Sequence, residues 1–145
     1  MLDRTYPDQV CSIARTLEVI GERWTLLIVR DAFLGRTRFS EFQRSLGVAR
    51  NILSHRLNHL VAEGVLERRD GEYRLTAKGR ELSPALHQLM KWGDRHYPRP
   101  EGPPRLTLHR DCGGRVEGDM VCCRCGAHVR MDELELVPGP GLAVA

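Results

Sequence analysis

The feature that most narrows the folds open to this chain is the order of elements written between Ile20 and Gly79. An apolar run, Trp24-Thr25-Leu26-Leu27-Ile28-Val29, precedes a short segment that places Phe39, Phe42 and Leu46 at helical spacing. After Gly47 comes a segment with Leu53, Leu57 and Leu60 on one side and polar residues on the other, and then Asp70-Gly71 between two short extended runs. Helices ending on glycines, followed by one tight two-residue hairpin, predict a mainly α fold edged by a small β-hairpin.

The apolar positions Ile13, Leu17 and Ile20, with Ala14 beside them, predict a first helix over residues 11–20 that Gly21 ends. Residues 23–33 are apolar on nearly every side, the pattern of a central buried helix, closed by Gly35. Ser40 is the expected N-cap of a short helix over 41–46, and Gly47 supplies the left-handed residue of a sharp helix–helix turn. The next helix, about 50–63, stops at Gly64, and residues 65–69 and 72–76 are the expected hairpin strands.

Thr76 is expected to cap a last long helix over 77–97 with the stripe Leu82, Leu86, Leu89 and Gly93, and a second face at Trp92 and His96. A helix apolar on two sides needs a partner, most simply a second copy of the chain. The expected interface is Ile13, Leu17, Leu82, Leu86, Leu89 and Trp92.

The chain's 145 residues suit one domain and a small appendage, on a prior of roughly 100–200 residues per domain. Pro98, Pro100, Gly102, Pro103 and Pro104 mark the boundary. The expected organisation is a domain over 1–97 opening on a loosely held arm (1–9), a linker over 98–105, a compact cysteine-rich unit over 106–137 and an untethered tail over 138–145. No run approaches the ~20 apolar residues of a membrane span and no secretory leader opens the chain, so a cytoplasmic protein is expected.

Charge is unevenly spread. Between Arg36 and Arg80 ten Lys/Arg face five Asp/Glu, a net +5 in a chain whose total is only +3. A basic middle is the electrostatic footprint of a phosphate-backbone binder. With Leu53, Leu57 and Leu60 turned inward, Arg50, Asn51, Ser54, His55 and Asn58 point outward, and no carboxylate occurs on that side before Glu63. Asparagine suits adenine, arginine suits guanine or phosphate, and a short serine allows close approach. These five are the candidate base-reading residues of double-stranded DNA. Arg36, Thr37 and Arg38 before the helix pair, where side chains and free amides meet phosphates, are candidate phosphate contacts, with Arg56 on the flank and Arg68, Arg69 and Arg74 on the hairpin.

The stretches Leu17-Glu18-Val19-Ile20-Gly21-Glu22-Arg23-Trp24-Thr25-Leu26-Leu27, Arg38-Phe39-Ser40-Glu41-Phe42, Leu53-Ser54-His55-Arg56-Leu57 and Leu75-Thr76-Ala77-Lys78-Gly79 resemble the HxlR-type winged helix-turn-helix regulators of bacteria, over about residues 11–97. The resemblance implies a homodimer built through the first and last helices, binding a pseudo-palindromic operator as a repressor or activator, with a small-molecule or redox signal possible. Some family members resemble redox sensors with a cysteine where Cys11 stands, at a helix N-terminus that lowers a thiol pKa. The other reading of Cys11 is a small residue packed at an interface.

Four of the five cysteines lie in the last third, in the pattern His109-x2-Cys112-Gly113 and Cys122-x2-Cys125-Gly126. Two such turns facing each other make a zinc ribbon, each offering two ligands at tetrahedral spacing. The expectation is one structural Zn2+ on His109, Cys112, Cys122 and Cys125, with Cys123 spare and a disulfide among the thiols as the competing state. No nucleophile-elbow or phosphate-loop context occurs, so no enzyme is expected. The alternatives are a thiol redox protein using Cys122 and Cys125, or an adaptor docking through the ribbon.

Overall fold

The computed structural model describes residues 5–142. The outermost part of the expected arm (1–4) and of the expected tail (143–145) lies outside the described residues. The chain divides into two compact units, the first ending at Leu86 and the second beginning at His87.

The first unit runs α1 (Ser12–Ile20), α2 (Thr25–Phe33), α3 (Phe39–Leu46), α4 (Arg50–Ala62), β1 (Leu66–Arg69), β2 (Glu72–Leu75) and α5 (Ala77–Arg80), followed by the start of α6 (Ser83–His96). Its core is Ile28 and Val29 of α2, Phe42 of α3, Leu53, Leu57 and Leu60 of α4, and Val48, Val65, Leu66 and Tyr73 from the connections and the hairpin. Each of the larger side chains stabilises the fold by about 1.5–3 kcal/mol relative to leaving it in water. Phe42 meets Tyr73 edge to face, ring centroids 6.4 Å apart, and so joins the helix pair to the hairpin. β1 and β2 pair antiparallel from Leu66↔Leu75 to Arg69↔Glu72. Asp70 and Gly71, at φ +53° and +78°, form the two-residue turn the sequence predicts. Gly79 lies where a Cβ would come within 2.1 Å of the Val65 carbonyl oxygen, so only glycine lets α5 seat this closely against the residue that leads into β1.

Three boundaries depart from the sequence expectation by more than one residue. The buried helix starts at Thr25 rather than Arg23, because Trp24 adopts a left-handed conformation (φ +77°) and packs half-buried against the core. That backbone costs about 1–3 kcal/mol, which the ring's burial offsets. Ser40 does not cap α3: the helix begins at Phe39, and the Glu41 carboxylate accepts the amides of Thr37 and Arg38, both at 2.9 Å. The last helix is broken in two between Arg80 and Ser83. Pro84 has no N–H to donate to residue 80, and its ring clashes with that carbonyl in a continuous helix. Leu82 and Leu86, expected at an interface, pack partly buried on the core of their own chain.

The second unit holds the rest of α6, the strand pair β3 (Met120–Val121) and β4 (His128–Val129), and a single 3-10 turn at Met131–Glu133. A further antiparallel bridge joins Leu108 to Arg115. Lys91 of α6 forms an ion pair with Glu117, and His87 Nδ1 lies 3.0 Å from Thr107 Oγ1. These polar contacts tie the second half of α6 to the cysteine-rich segment. The division of the chain therefore falls inside α6 and not in the Pro/Gly stretch 98–105. No residue from 98 to 142 is buried.

Candidate nucleic-acid interface

Leu53, Leu57 and Leu60 anchor α4 with none of their surface exposed. The opposite side faces solvent: Arg50, Asn51, His55 and Asn58 are exposed, and Ser54 is half-buried between them and the core. The five expected base-reading residues therefore share the outer side of one helix. The Arg50 guanidinium lies over the Phe39 ring, 4.8 Å from its centroid, which fixes it at the junction of α3 and α4.

The back of α4 is fastened by contacts that the sequence pattern did not indicate. Arg56 Nη2 donates to Glu22 Oε2 at 2.7 Å and its side chain is only 14% exposed. Arg56, expected at phosphate, instead pins α4 to the turn between α1 and α2. Nearby, His59 Nε2 lies 3.1 Å from the Val19 carbonyl of α1. Residues so far apart in the chain leave no local signal, although an arginine one position from a core leucine on the same helix is a hint.

At the entry to the helix pair, Asp31 is fully buried in α2 and accepts from Arg30 Nη2 at 2.7 Å and Arg36 Nη1 at 3.3 Å. A buried carboxylate needs such partners, and a lone acid inside an apolar helix was the readable clue. Arg36 is thus committed to this cluster. The amides of Thr37 and Arg38, expected to be free for phosphate, are taken by Glu41, and those two bonds, Thr37 first, hold the Glu41 carboxyl below its ordinary range. Arg38 remains exposed, its Nε 3.6 Å from Glu72.

On the hairpin Arg68, Arg69 and Arg74 are exposed. Arg68 stacks over the Tyr73 ring at 5.4 Å, and Arg74 Nη2 donates to Glu72 Oε2 at 2.6 Å. That bond holds the Glu72 carboxyl below and the Arg74 guanidinium above their ordinary values. Arg69 carries no ion pair among the described residues.

All five cysteines are free thiols, four in the cysteine-rich segment and Cys11 at the exposed, extended N-cap of α1. His109 Nδ1 and Cys112 Sγ stand 3.2 Å apart. The backbone amides of Cys125 and Arg124, then the Cys125 thiol, hold the Cys122 thiol below its usual value. Each expected pair of ligands is thus brought together, but among the described residues no three His, Cys, Asp or Glu side chains gather into one metal-binding group.

The model of the HxlR-like helix-turn-helix family matches residues 19–101, from the end of α1 through α6. The chain belongs to this family. The HTH-type transcriptional regulator Rv3095 of Mycobacterium tuberculosis is 44% identical over 137 residues, 90% of this chain and 87% of that one. Among solved structures, PA1607, described as a transcription factor, superposes with a TM-score of 0.79 at 40% identity, covering 90% of this chain and 96% of that one. The quinone-bound YodB of Bacillus subtilis reaches 0.54 at 27% identity and covers 57% of this chain and 96% of that one.

This HxlR-like chain is accordingly a helix-turn-helix transcriptional regulator and not an enzyme. Its fold is the winged helix-turn-helix, with α3 and α4 as the helix pair and β1–β2 as the wing. Matches covering 90% of the chain reach past residue 101, so part of the segment that the family match does not include is aligned in Rv3095 and PA1607. No helix among the described residues is long and apolar enough to cross a membrane.

Proposed function

We propose that this HxlR-like regulator is a cytoplasmic homodimer that reads a pseudo-palindromic operator, with α4 in the major groove and the hairpin on the flanking backbone. One observation carries the reading of α4: a helix whose inner side is wholly buried presents Arg50, Asn51, Ser54, His55 and Asn58 outward with no acid among them. Arg38 and Arg69 are the phosphate contacts with the freest side chains. The homodimer is supported by large apolar side chains left in water on α1 and α6: Ile13 at 70%, Leu17 at 43%, and Leu89 and Trp92 at 53% each. Cys11 is the candidate redox position, being exposed at a helix N-terminus.

The test is binding to an operator selected from random duplexes. The logarithm of the affinity falls linearly with log salt concentration, and Asn51→Ala or His55→Ala loses about 1–3 kcal/mol of discrimination at particular base pairs. Arg38→Ala and Arg69→Ala weaken all sequences and flatten the salt slope. If all four variants behave alike, α4 is not the reading helix. Light scattering reads a dimer mass for the wild type and a monomer for Leu89→Asp; a monomeric wild type refutes the assembly.

A further inference from the structure

The region that the DNA-reading function leaves unexplained is the segment after Pro104. It makes two strand pairings and two tight turns, yet buries nothing. Leu106, Leu108, Val116, Met120 and Val121 are all exposed, between 39% and 56%. Some forty residues without a core do not hold a fold by burial, and small units of this kind use a cross-link or a metal.

The two turns are built alike. In the first, Gly113 N donates to the His109 carbonyl at 2.7 Å; in the second, Gly126 N donates to the Cys122 carbonyl at 2.8 Å. Both glycines have left-handed backbones, φ +69° and +73°, and each ends an x2-Cys-Gly sequence. Each turn is the tip of an antiparallel pairing, Leu108↔Arg115 for one and Val121↔His128 for the other. Each brings its two donor residues together, and each has an amide positioned towards sulfur, such as Gly114 N, 3.4 Å from Cys112 Sγ. One such turn would be a common local motif. Two of identical build, carrying one imidazole and three thiols, make a matched pair of half-sites.

We propose that these half-sites close on a single Zn2+ held by His109, Cys112, Cys122 and Cys125, and that this ion supplies the cohesion the segment lacks. Zinc is the cation that takes four mixed nitrogen and sulfur ligands tetrahedrally without redox chemistry. In the structure each turn is formed with its own two donors, and the metal is the link between the turns. The three cysteines bind as thiolates and release their protons to buffer; the imidazole binds neutral. Cys123, adjacent to a ligand and exposed, is spare.

The experiment titrates the full-length chain, purified under reducing conditions and freed of metal by chelator, with Co2+. Tetrahedral d–d bands and a thiolate-to-cobalt charge-transfer band are expected to saturate at one equivalent and to be displaced by Zn2+, and the chain as purified should contain one zinc. Cys112→Ser and Cys125→Ser should weaken the charge-transfer band and expose residues 106–136 to protease, while Cys123→Ser titrates like wild type. Helical circular dichroism from the first unit reports whether each variant is folded. Absence of the cobalt bands in the wild type overturns the proposal. So does iron in the purified chain, a Cys112–Cys125 disulfide in the reduced chain, or a loss of metal in Cys123→Ser equal to that in Cys125→Ser.

Discussion

The two units of this chain differ in how much they bury. Up to Leu86, order is made by burial: Ile28, Val29, Phe42, Leu53, Leu57 and Leu60 have no exposed surface, and most backbone turns serve to bring them together. After Pro98, the backbone bends through equally well-defined turns, but none of residues 98–142 is buried, and one imidazole and three thiols stand at two of the tips. Hydrophobic cohesion scales with area removed from water, so it needs volume; a coordinate bond needs only the right atoms at the right spacing. A unit too small for the first device carries the side chains for the second.

The largest way to break that contrast is to truncate apolar side chains in both units. Phe42→Ala or Leu57→Ala should cost about 3–5 kcal/mol, enough to unfold the first unit, because each leaves a cavity in a core with no free surface. Val121→Ala, made in a strand whose side chain is more than half exposed, should stay within about 0.5 kcal/mol. Urea unfolding followed by tryptophan fluorescence and circular dichroism measures both. Comparable losses in the two places would mean that the second unit has a core after all.

A smaller effect tests whether Arg56 belongs to the fold or to the duplex. Arg56→Ala should lower stability by about 1–3 kcal/mol, through loss of a charge-assisted hydrogen bond on a side chain little exposed to water, and should leave the salt slope of DNA binding unchanged. Glu22→Ala should do the same, and the double variant should cost less than the two singles added. A salt slope reduced by about one in Arg56→Ala would return this residue to the phosphate backbone.

The smallest effect concerns the cap of α3. Amides hold the Glu41 carboxyl below its unfolded value, so its contribution is complete above the ordinary glutamate range and is lost as pH falls through the depressed folded value. Glu41→Gln should therefore unfold at lower urea than wild type at neutral pH, and the gap should close on acidification. A gap that widens in acid would contradict the cap.

Much of the first unit was legible because its signals are local. Asp70-Gly71, the Phe39/Phe42 spacing, Gly47 and the leucine period of α4 each act within one or two turns of chain. What escaped was set by distance. Trp24 leaves the helix because the core draws its ring in, and Arg56 turns inward because Glu22, thirty-four residues earlier, waits there. The break before α6 is a different failure: Pro84 was in plain sight, but the stripe Leu82–Leu86–Leu89 runs across it and reads as one helix. The nearness of His109 to Cys112 and of Cys122 to Cys125 was legible because each pair lies within one turn; among the described residues no third donor joins either pair.

One backbone bond between the hairpin and the helix pair has a consequence for how a duplex is measured. Tyr73 N donates to the Thr37 carbonyl at 2.7 Å, so β2 is stitched to the residue that leads into α3. The wing is not a flap on a loop. It and the helix pair form one caliper whose opening is set by that peptide hydrogen bond to the start of α3 and by the Phe42–Tyr73 contact beneath it. Under the reading proposed above, a caliper of fixed opening accepts one width of half-site, so variation among operators would fall on the spacing between half-sites and not within them.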